Sequence, residues 1–177
     1  MYMSSWRLLI AGTILYSMAR LSGKSHPTFQ ELKSASLIGV LLLAISNGGM
    51  GIALQFIPSS IGALLVGMVP LFTIVLNWLF FAKQRPSNLT ILGLLLGIIG
   101  VSLLVRPGSF EETSSQSWIG ICIIILTNLA WATGTLLSSR MQLPTQMIST
   151  AIQMLVGGSL QLIAALLFEP VHLLSIL

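Results

Sequence analysis

The stretch from Ser34 to Ala82 contains forty-nine consecutive residues without one Asp, Glu, Lys or Arg. A helix crosses the hydrocarbon core of a bilayer in about 20 apolar residues, so this stretch is long enough for two crossings. Pro58 stands at its middle, where proline disfavours helix at the residue before it and suits a first helical turn. We therefore predict an antiparallel hairpin of two membrane helices, the first ending near Ile57 and the second beginning at Ser59.

The composition indicates an integral membrane protein, because 55% of the 177 residues are hydrophobic and 7% are charged. Cys122 has no partner for an intrachain disulfide, and His26 and His172 have no metal-ligand spacing. No HExxH sequence, phosphate-binding loop or Ser, His, Asp set occurs, so we predict that the chain is not an enzyme and uses no metal or cofactor. The basic residues are scattered singly between apolar runs, which argues against nucleic acid as a partner and indicates topology signals in a lipid bilayer.

The hydropathy pattern predicts an all-α membrane protein with six transmembrane helices. Their approximate bounds are 6–21, 35–57, 59–82, 89–105, 118–138 and 146–168. The first span is the weakest, because Arg7 and Arg20 must both reach the membrane interfaces. A polar, acidic segment at 109–117 is typical of a linker, and it divides the chain into residues 1–108 and 118–177.

The loops between these spans place six basic residues on one side of the membrane and two on the other, which favours the cytoplasm for the first side. The chain would then begin outside the cell. No cleavable signal peptide precedes the first span, so we expect a further helix upstream.

A short internal repeat fits that expectation. Residues 7–14 (RLLIAGTI) align with residues 153–160 (QMLVGGSL) at an offset of 146 residues. Shared apolar composition explains part of this match. If the repeat is real, five spans separate equivalent helices, and an odd number inverts the second copy relative to the first, as in many secondary transporters. We then expect the chain to lack the opening helix of the first copy and the last three helices of the second.

Several motifs resemble those of EamA-type members of the drug/metabolite transporter superfamily. They are Asn47-Gly48, Gln55, Pro58-Ser59, Gly62-Ala63-Leu64-Leu65-Val66, Val69-Pro70-Leu71, Gly93, Gly97, Gly100-Val101, Trp131-Ala132, Gly134, Ser139-Arg140, Leu143-Pro144, Gln153-Met154-Leu155 and Gly157-Gly158. The resemblance implies a multi-pass inner-membrane transporter of ten helices in two inverted five-helix repeats, which moves small metabolites, usually outward. Matched to that plan, this chain holds helices two to seven.

Uncharged polar residues inside the apolar spans are the candidate site. Asn47, Gly51 and Gln55 recur every four residues, which predicts one helix face. This face is interpreted as a hydrogen-bonding wall of a central solute cavity, or alternatively as polar contacts that hold helices together.

The next span carries a similar stripe with Pro70, Thr73 and Asn77. Proline removes a backbone donor and kinks a helix, so Pro70 is predicted to widen the cavity and serve as a hinge. The alternative is a proline that is tolerated because a neighbour satisfies the freed carbonyl.

Four further candidates complete the set. Asn128 and Trp131 share a face of the fifth span, where the indole is placed to stack on a solute or simply to pack. Arg7 and Gln153 are equivalent in the repeat and are predicted to line opposite ends of one path, although Arg7 also fits an interfacial anchor.

Two functions remain open from the sequence. The first is a secondary transporter of small metabolites or drugs, which the resemblance implies is an exporter. The alternative is a truncated or non-transporting membrane module that needs a partner chain; a homodimer is also left open. No Asp or Glu lies in the middle of a span, so coupling residues lie elsewhere or transport is facilitated.

Overall fold

The computed structural model describes residues 2–24, 26–81, 87–104 and 117–168, and the secondary structure of these residues is helical without a strand. Six helices follow one another in this part of the chain. They are α1 (Tyr2–Leu21), α2 (Phe29–Ala53), α3 in two halves, α3a (Ser59–Val66) and α3b (Val69–Leu76), α4 (Asn88–Leu104), α5 (Ser117–Ser138) and α6 (Gln146–Phe168). Segments of π-helix occupy Val40–Asn47 within α2 and Asn77–Phe81 after α3b.

Four helices of the described residues are long and apolar enough to cross a membrane. They are Phe29–Ala53, Ser59–Phe80, Ser117–Ser138 and Gln146–Leu167. Helix α1 is not among them, in keeping with Arg7 and Arg20 near its ends, and Asn88–Gly97 of α4 is a shorter apolar helix. The prediction of an all-helical protein is confirmed, with four helices long and apolar enough to cross. That α1 and α4 also cross the membrane stays a prediction.

Helix α2 begins and ends earlier than the predicted 35–57. A capping box fixes its start: the Thr28 amide donates to Glu31 Oε2 at 2.8 Å, and the Glu31 amide donates to Thr28 Oγ1 at 3.3 Å. Residues 29–34, which the predicted bounds leave between the first two spans, are therefore helical, and the predicted start of this span is wrong. At the other end the helix stops at Ala53 and the chain turns before Pro58.

The chain divides into two compact units, and each unit has its own core. Unit 1 contains residues up to Ala44 and from Arg140 onward; unit 2 is Ile45–Ser139. In unit 1, α6 packs against α1 and the first part of α2 around the buried side chains Ala19, Ala35, Ile148 and Ile152. In unit 2, α5 packs against the end of α2 and both halves of α3 around Ala53, Ile57, Ile61 and Ile124. The predicted division at 109–117 falls on residues outside the described ranges apart from Ser117, and it stays a prediction.

Helices α1 and α6 of unit 1 run antiparallel. Tyr2 Oη at the start of α1 donates to the carbonyl of Ala165 near the end of α6 at 3.2 Å. At the opposite end of the pair, Ala19 and Ile148 are buried in the same core.

The contacts between α1 and α6 are reciprocal. A Cβ built on Gly12 would lie 3.0 Å from Met154 Cβ and 3.1 Å from Leu155 Cγ. A Cβ built on Gly158 would lie 3.0 Å from Leu8 Cβ and 3.2 Å from Leu9 Cγ. Gly158, Met154 and Leu155 each stand 146 residues after Gly12, Leu8 and Leu9, which is the offset of the sequence repeat. The glycine of each helix therefore contacts equivalent residues of the other helix. Two copies related by a two-fold axis show this pattern.

Candidate functional site

A cavity of about 320 Å³ lies within unit 2. Helix α2, the two halves of α3 and helix α5 supply its walls. The residues that line it are Ser46, Asn47, Met50, Val66, Val69, Thr127, Asn128 and Trp131. None of them carries a formal charge, and their polar groups are two amides, two hydroxyls and an indole.

The α3 wall of the cavity is an interrupted helix. Helix α3a ends at Val66 and α3b begins at Val69, with Gly67 and Met68 between them. Pro70 is the second residue of α3b, where its missing N–H costs no hydrogen bond, because first-turn amides have no partner within the helix. Val66 and Val69 line the cavity from the two sides of this break.

Asn128 satisfies a carbonyl next to the break. Its side chain is 3% exposed, and its Nδ2 donates to the carbonyl of Leu65 at 2.7 Å. The Met68 amide donates to the same carbonyl at 3.1 Å. Asn128 therefore adds a second hydrogen bond to this carbonyl, and it links α5 to α3 beside the local departure from regular helix.

The α2 wall is held against α5 by small and hydroxyl side chains. Ser46 Oγ, at the end of the π-helical segment, donates to the carbonyl of Thr127 at 2.8 Å. One turn further on, a Cβ built on Gly49 would lie only 2.5 Å from Thr127 Cγ2. Glycine at position 49 therefore permits the close approach of α2 and α5 that brings Asn47 and Asn128 to one cavity.

The structure brings three of the predicted site residues together at this cavity, namely Asn47, Asn128 and Trp131. Asn47 is half-buried, and its side-chain amide makes no hydrogen bond within the described part of the chain. Trp131 is 40% exposed. That these residues bind a solute stays a prediction.

The other predicted residues of unit 2 do not line the cavity. Gln55 lies in the turn after α2, so the single helix face predicted for Asn47, Gly51 and Gln55 is wrong for Gln55. Gly51 is exposed with nothing within 4 Å of a Cβ built on it. Pro70 is exposed, Asn77 is half-buried, and Thr73 Oγ1 donates to the carbonyl of Val69 in its own helix at 2.9 Å.

The remaining candidates, Arg7 and Gln153, belong to unit 1. Arg7 is exposed on α1, and Gln153 Nε2 donates to Ser149 Oγ at 3.0 Å within α6. A Cβ built on Gly39 would meet the backbone of Gln153 at 2.7 Å, so α2 and α6 approach closely here. That Arg7 and Gln153 line a solute path stays a prediction.

Four lining residues were not predicted from the sequence, namely Ser46, Met50, Val69 and Thr127. Gln161 was not predicted as a buried polar residue. Gln161 is 3% exposed, and its Nε2 donates to the carbonyl of Leu43 in the π-helical segment at 2.6 Å. The available signal was adjacency: Ser46 and Thr127 each stand next to an intramembrane asparagine. Within the described ranges, no group of three or more His, Cys, Asp or Glu side chains is placed to hold a metal ion.

Comparison with known proteins decides the family. The model of the EamA-like transporter family matches residues 1–106. The chain belongs to the EamA-like transporter family. This membership confirms the resemblance seen in the sequence motifs, and it identifies a multi-pass membrane protein of a transporter family and not an enzyme.

Curated relatives of this EamA-like chain come from bacteria and an archaeon. The chain is 37% identical to the uncharacterized inner membrane transporter YedA of Escherichia coli K12 over 166 residues, which are 93% of this chain and 52% of the relative. It is 29% identical over 178 residues to the uncharacterized transporter YyaM of Bacillus subtilis, covering 98% of this chain and 58% of that protein. An uncharacterized transporter of Archaeoglobus fulgidus is 25% identical over 139 residues, 78% of this chain and 47% of its own length.

The chain spans about half the length of the curated relatives it matches. No solved structure matches it.

Proposed function

We propose that this chain forms part of a secondary transporter that moves small metabolites or drugs out of the cell through a central cavity with a polar, uncharged lining. The observation that carries the proposal is the cavity of unit 2, with a volume of about 320 Å³. Small-molecule pockets have volumes of roughly 300–1,000 Å³. Amides, hydroxyls and an indole bind a solute by hydrogen bonds and stacking, without the free-energy cost of a charge buried in the membrane.

The break in α3 supports a cavity that changes width during transport. Val66 and Val69 line the cavity on either side of Gly67 and Met68, so a change of angle between α3a and α3b moves one wall. Helices interrupted near the substrate site are a recurring feature of secondary transporters. We propose that this break, with Pro70 just after it, is the hinge.

The reciprocal packing of α1 and α6 supports an arrangement in two inverted repeats. The two helices are antiparallel, and Gly12 and Gly158 meet equivalent atoms at an offset of 146 residues. We propose a ten-helix transporter in which α1–α6 are helices two to seven, with residues 1–108 in the first repeat and 118–177 in the second. Since relatives are named inner membrane transporters, we propose the inner membrane as its location.

Export by cells tests this proposal. Cells carrying the complete natural reading frame are loaded with a panel of amino acids and dyes, and efflux is compared with that of cells lacking it. We expect faster efflux of at least one solute, and we expect Asn47→Leu and Trp131→Ala each to slow that efflux. Gln30→Leu, an exposed change in the first turn of α2, is the control for expression and insertion.

The same cells test the sequence-based candidate Gln55, which lies outside the cavity. Gln55→Leu slows efflux only if the solute path extends beyond the eight lining residues. Efflux that is unchanged by Asn47→Leu and Trp131→Ala together would refute the cavity as the transport site. Whether the protein forms a homodimer, which the sequence leaves open, is tested by the mass of the purified protein in detergent. A mass of one copy would exclude the homodimer.

A further inference from the structure

Two polar side chains at the cavity each donate one hydrogen bond to the backbone of the protein. Thr127 Oγ1 donates to the carbonyl of Ile124 at 2.8 Å, and Asn128 Nδ2 donates to the carbonyl of Leu65 at 2.7 Å. The second bond fixes the orientation of the Asn128 amide, since the reverse orientation would place two acceptor oxygens together. Thr127 Oγ1 therefore retains only acceptor capacity, and Asn128 retains the acceptor Oδ1 together with the second hydrogen of Nδ2.

These acceptors are buried and unused. Asn128 is 3% exposed and Thr127 is 5% exposed. Within the described part of the chain, Asn128 Oδ1 accepts no hydrogen bond, and Thr127 Oγ1 makes only the one bond in which it donates. A buried acceptor without a donor is unfavourable, so both oxygens favour a solute that brings hydrogen atoms to them.

An aromatic and polarizable surface lies beside the two acceptors. Trp131 follows Asn128 by one helical turn, and both line the cavity together with the thioether of Met50. Indole attracts cations through the negative face of its ring, and methionine sulfur packs well against aromatic rings. The half-buried amide of Asn47 completes the polar lining and is able to donate or to accept.

We propose that the cavity selects solutes that carry an N–H-bearing ammonium group on an aromatic or apolar body. The ammonium donates to Asn128 Oδ1 and Thr127 Oγ1, and the body packs against Trp131 and Met50. This inference rests on the proposed transport function and narrows its substrate class. Neutral acceptors suit this role, because two hydrogen bonds and the indole replace part of the hydration that the cation loses, without a buried carboxylate.

A pair of probes with the same charge and ring tests the inference. Phenethylamine, protonated at neutral pH, is compared with its N,N,N-trimethyl analogue, which keeps the positive charge and has no N–H. Equilibrium binding of each probe is measured on the protein from the complete natural reading frame in lipid nanodiscs. We expect phenethylamine to bind at least about tenfold more tightly, because the trimethyl analogue is unable to donate either hydrogen bond.

Thr127→Val and Thr133→Val form the matched pair of variants. Both remove a hydroxyl that donates to a carbonyl of α5 while keeping the branched side chain, but Thr133 does not line the cavity. We expect Thr127→Val to weaken phenethylamine binding by about three- to tenfold and to leave the trimethyl analogue unaffected. Thr133→Val leaves both affinities unchanged.

Equal affinities for the two probes, equal effects of Thr127→Val on both, or no binding of phenethylamine would each overturn the inference. Those results leave the proposed function standing if another solute is exported in a manner sensitive to Trp131→Ala. Absence of any exported solute removes the proposed function itself.

Discussion

At the scale of single residues, the side chains that surround the cavity also hold its walls together. Asn128 donates to the Leu65 carbonyl beside the break in α3, and Ser46 donates to the Thr127 carbonyl across the α2–α5 contact. The two readings of an intramembrane polar residue, solute contact and helix contact, are therefore compatible in one side chain. Asn128 has separate donor and acceptor atoms for the two roles.

Asn128→Leu is expected to lower stability, because the Leu65 carbonyl loses its side-chain donor. The loss is about 1–2 kcal/mol for a hydrogen bond between membrane helices. The matched control is Asn77→Leu, since the half-buried side chain of Asn77 makes no hydrogen bond within the described residues. Apparent melting temperatures in detergent check this prediction, and equal shifts for the two variants would contradict it.

Two glycines on the same helix predict opposite responses to alanine. A Cβ at position 49 would lie 2.5 Å from Thr127 Cγ2, a stiff β-branched and buried side chain, whereas a Cβ at position 51 meets nothing within 4 Å. Gly49→Ala is expected to cost about 1–3 kcal/mol by overpacking. Gly51→Ala is expected to leave the melting temperature unchanged or slightly raised. A larger loss at position 51 than at position 49 would show that the α2–α5 contact is wrong.

The sequence identified Asn47, Asn128 and Trp131 because amides and an indole are conspicuous inside apolar spans. Thr127 and Ser46 were not conspicuous, since a hydroxyl in a helix commonly donates a hydrogen bond to the preceding turn of the same helix. Its presence in the sequence therefore does not indicate which residues surround it. Val66, Val69 and Met50 are apolar residues in an apolar stretch. Only the packing of α5 on the broken α3 distinguishes them from residues that face lipid.

At the scale of helices, an irregularity in α3 was predicted from the sequence, but not at the position where the helix is interrupted. Proline at position 70 predicted a kink, and the structure interrupts the helix at Gly67 and Met68, which leaves Pro70 in the first turn of α3b. The bounds of α2 also moved. Thr28 and Glu31 extend its start, while the turn before Pro58 removes Gln55 from its end.

Pro70→Ala tests the proposed hinge in α3 without a large expected effect on stability. Position 70 is in the first turn of α3b, where proline and alanine are both accommodated, so we expect a melting temperature close to that of the parent protein. If the break is a hinge, the efflux rate falls in this variant. Pro58→Ala, at the start of α3a and away from the cavity, is the control. Unchanged efflux in Pro70→Ala would refute the hinge.

The reciprocal contact of α1 and α6 predicts equal penalties at equivalent positions. Gly12→Ala and Gly158→Ala each bring a Cβ within 3.0 Å of a side-chain Cβ on the other helix, so similar losses of about 1–3 kcal/mol are expected. Gly97→Ala on α4, with nothing within 4 Å, is the control. A large loss at only one of positions 12 and 158, measured by melting in detergent, would contradict the two-fold relation.

At the scale of the whole molecule, composition alone identified a membrane protein, and scattered motifs identified the family. The location of the cavity was beyond sequence reasoning, because it depends on which face of α5 meets the broken α3. The linker at 109–117 and the orientation of the chain stay predictions. The linker lies outside the described ranges apart from Ser117.

Water access to engineered thiols tests most directly whether the uncharged polar faces enclose a solute cavity. The exposed native Cys122 is first replaced by Ala, and single cysteines are introduced at Asn47, Trp131 and Leu126 in the complete natural protein. Leu126 is 63% exposed on α5 but does not line the cavity, so we expect it to face acyl chains. Thiols react as thiolates, which form in water and not in hydrocarbon. We predict that a water-soluble, membrane-impermeant thiol reagent modifies Asn47→Cys and Trp131→Cys much faster than Leu126→Cys; equal or slower modification at positions 47 and 131 in folded protein would contradict the cavity.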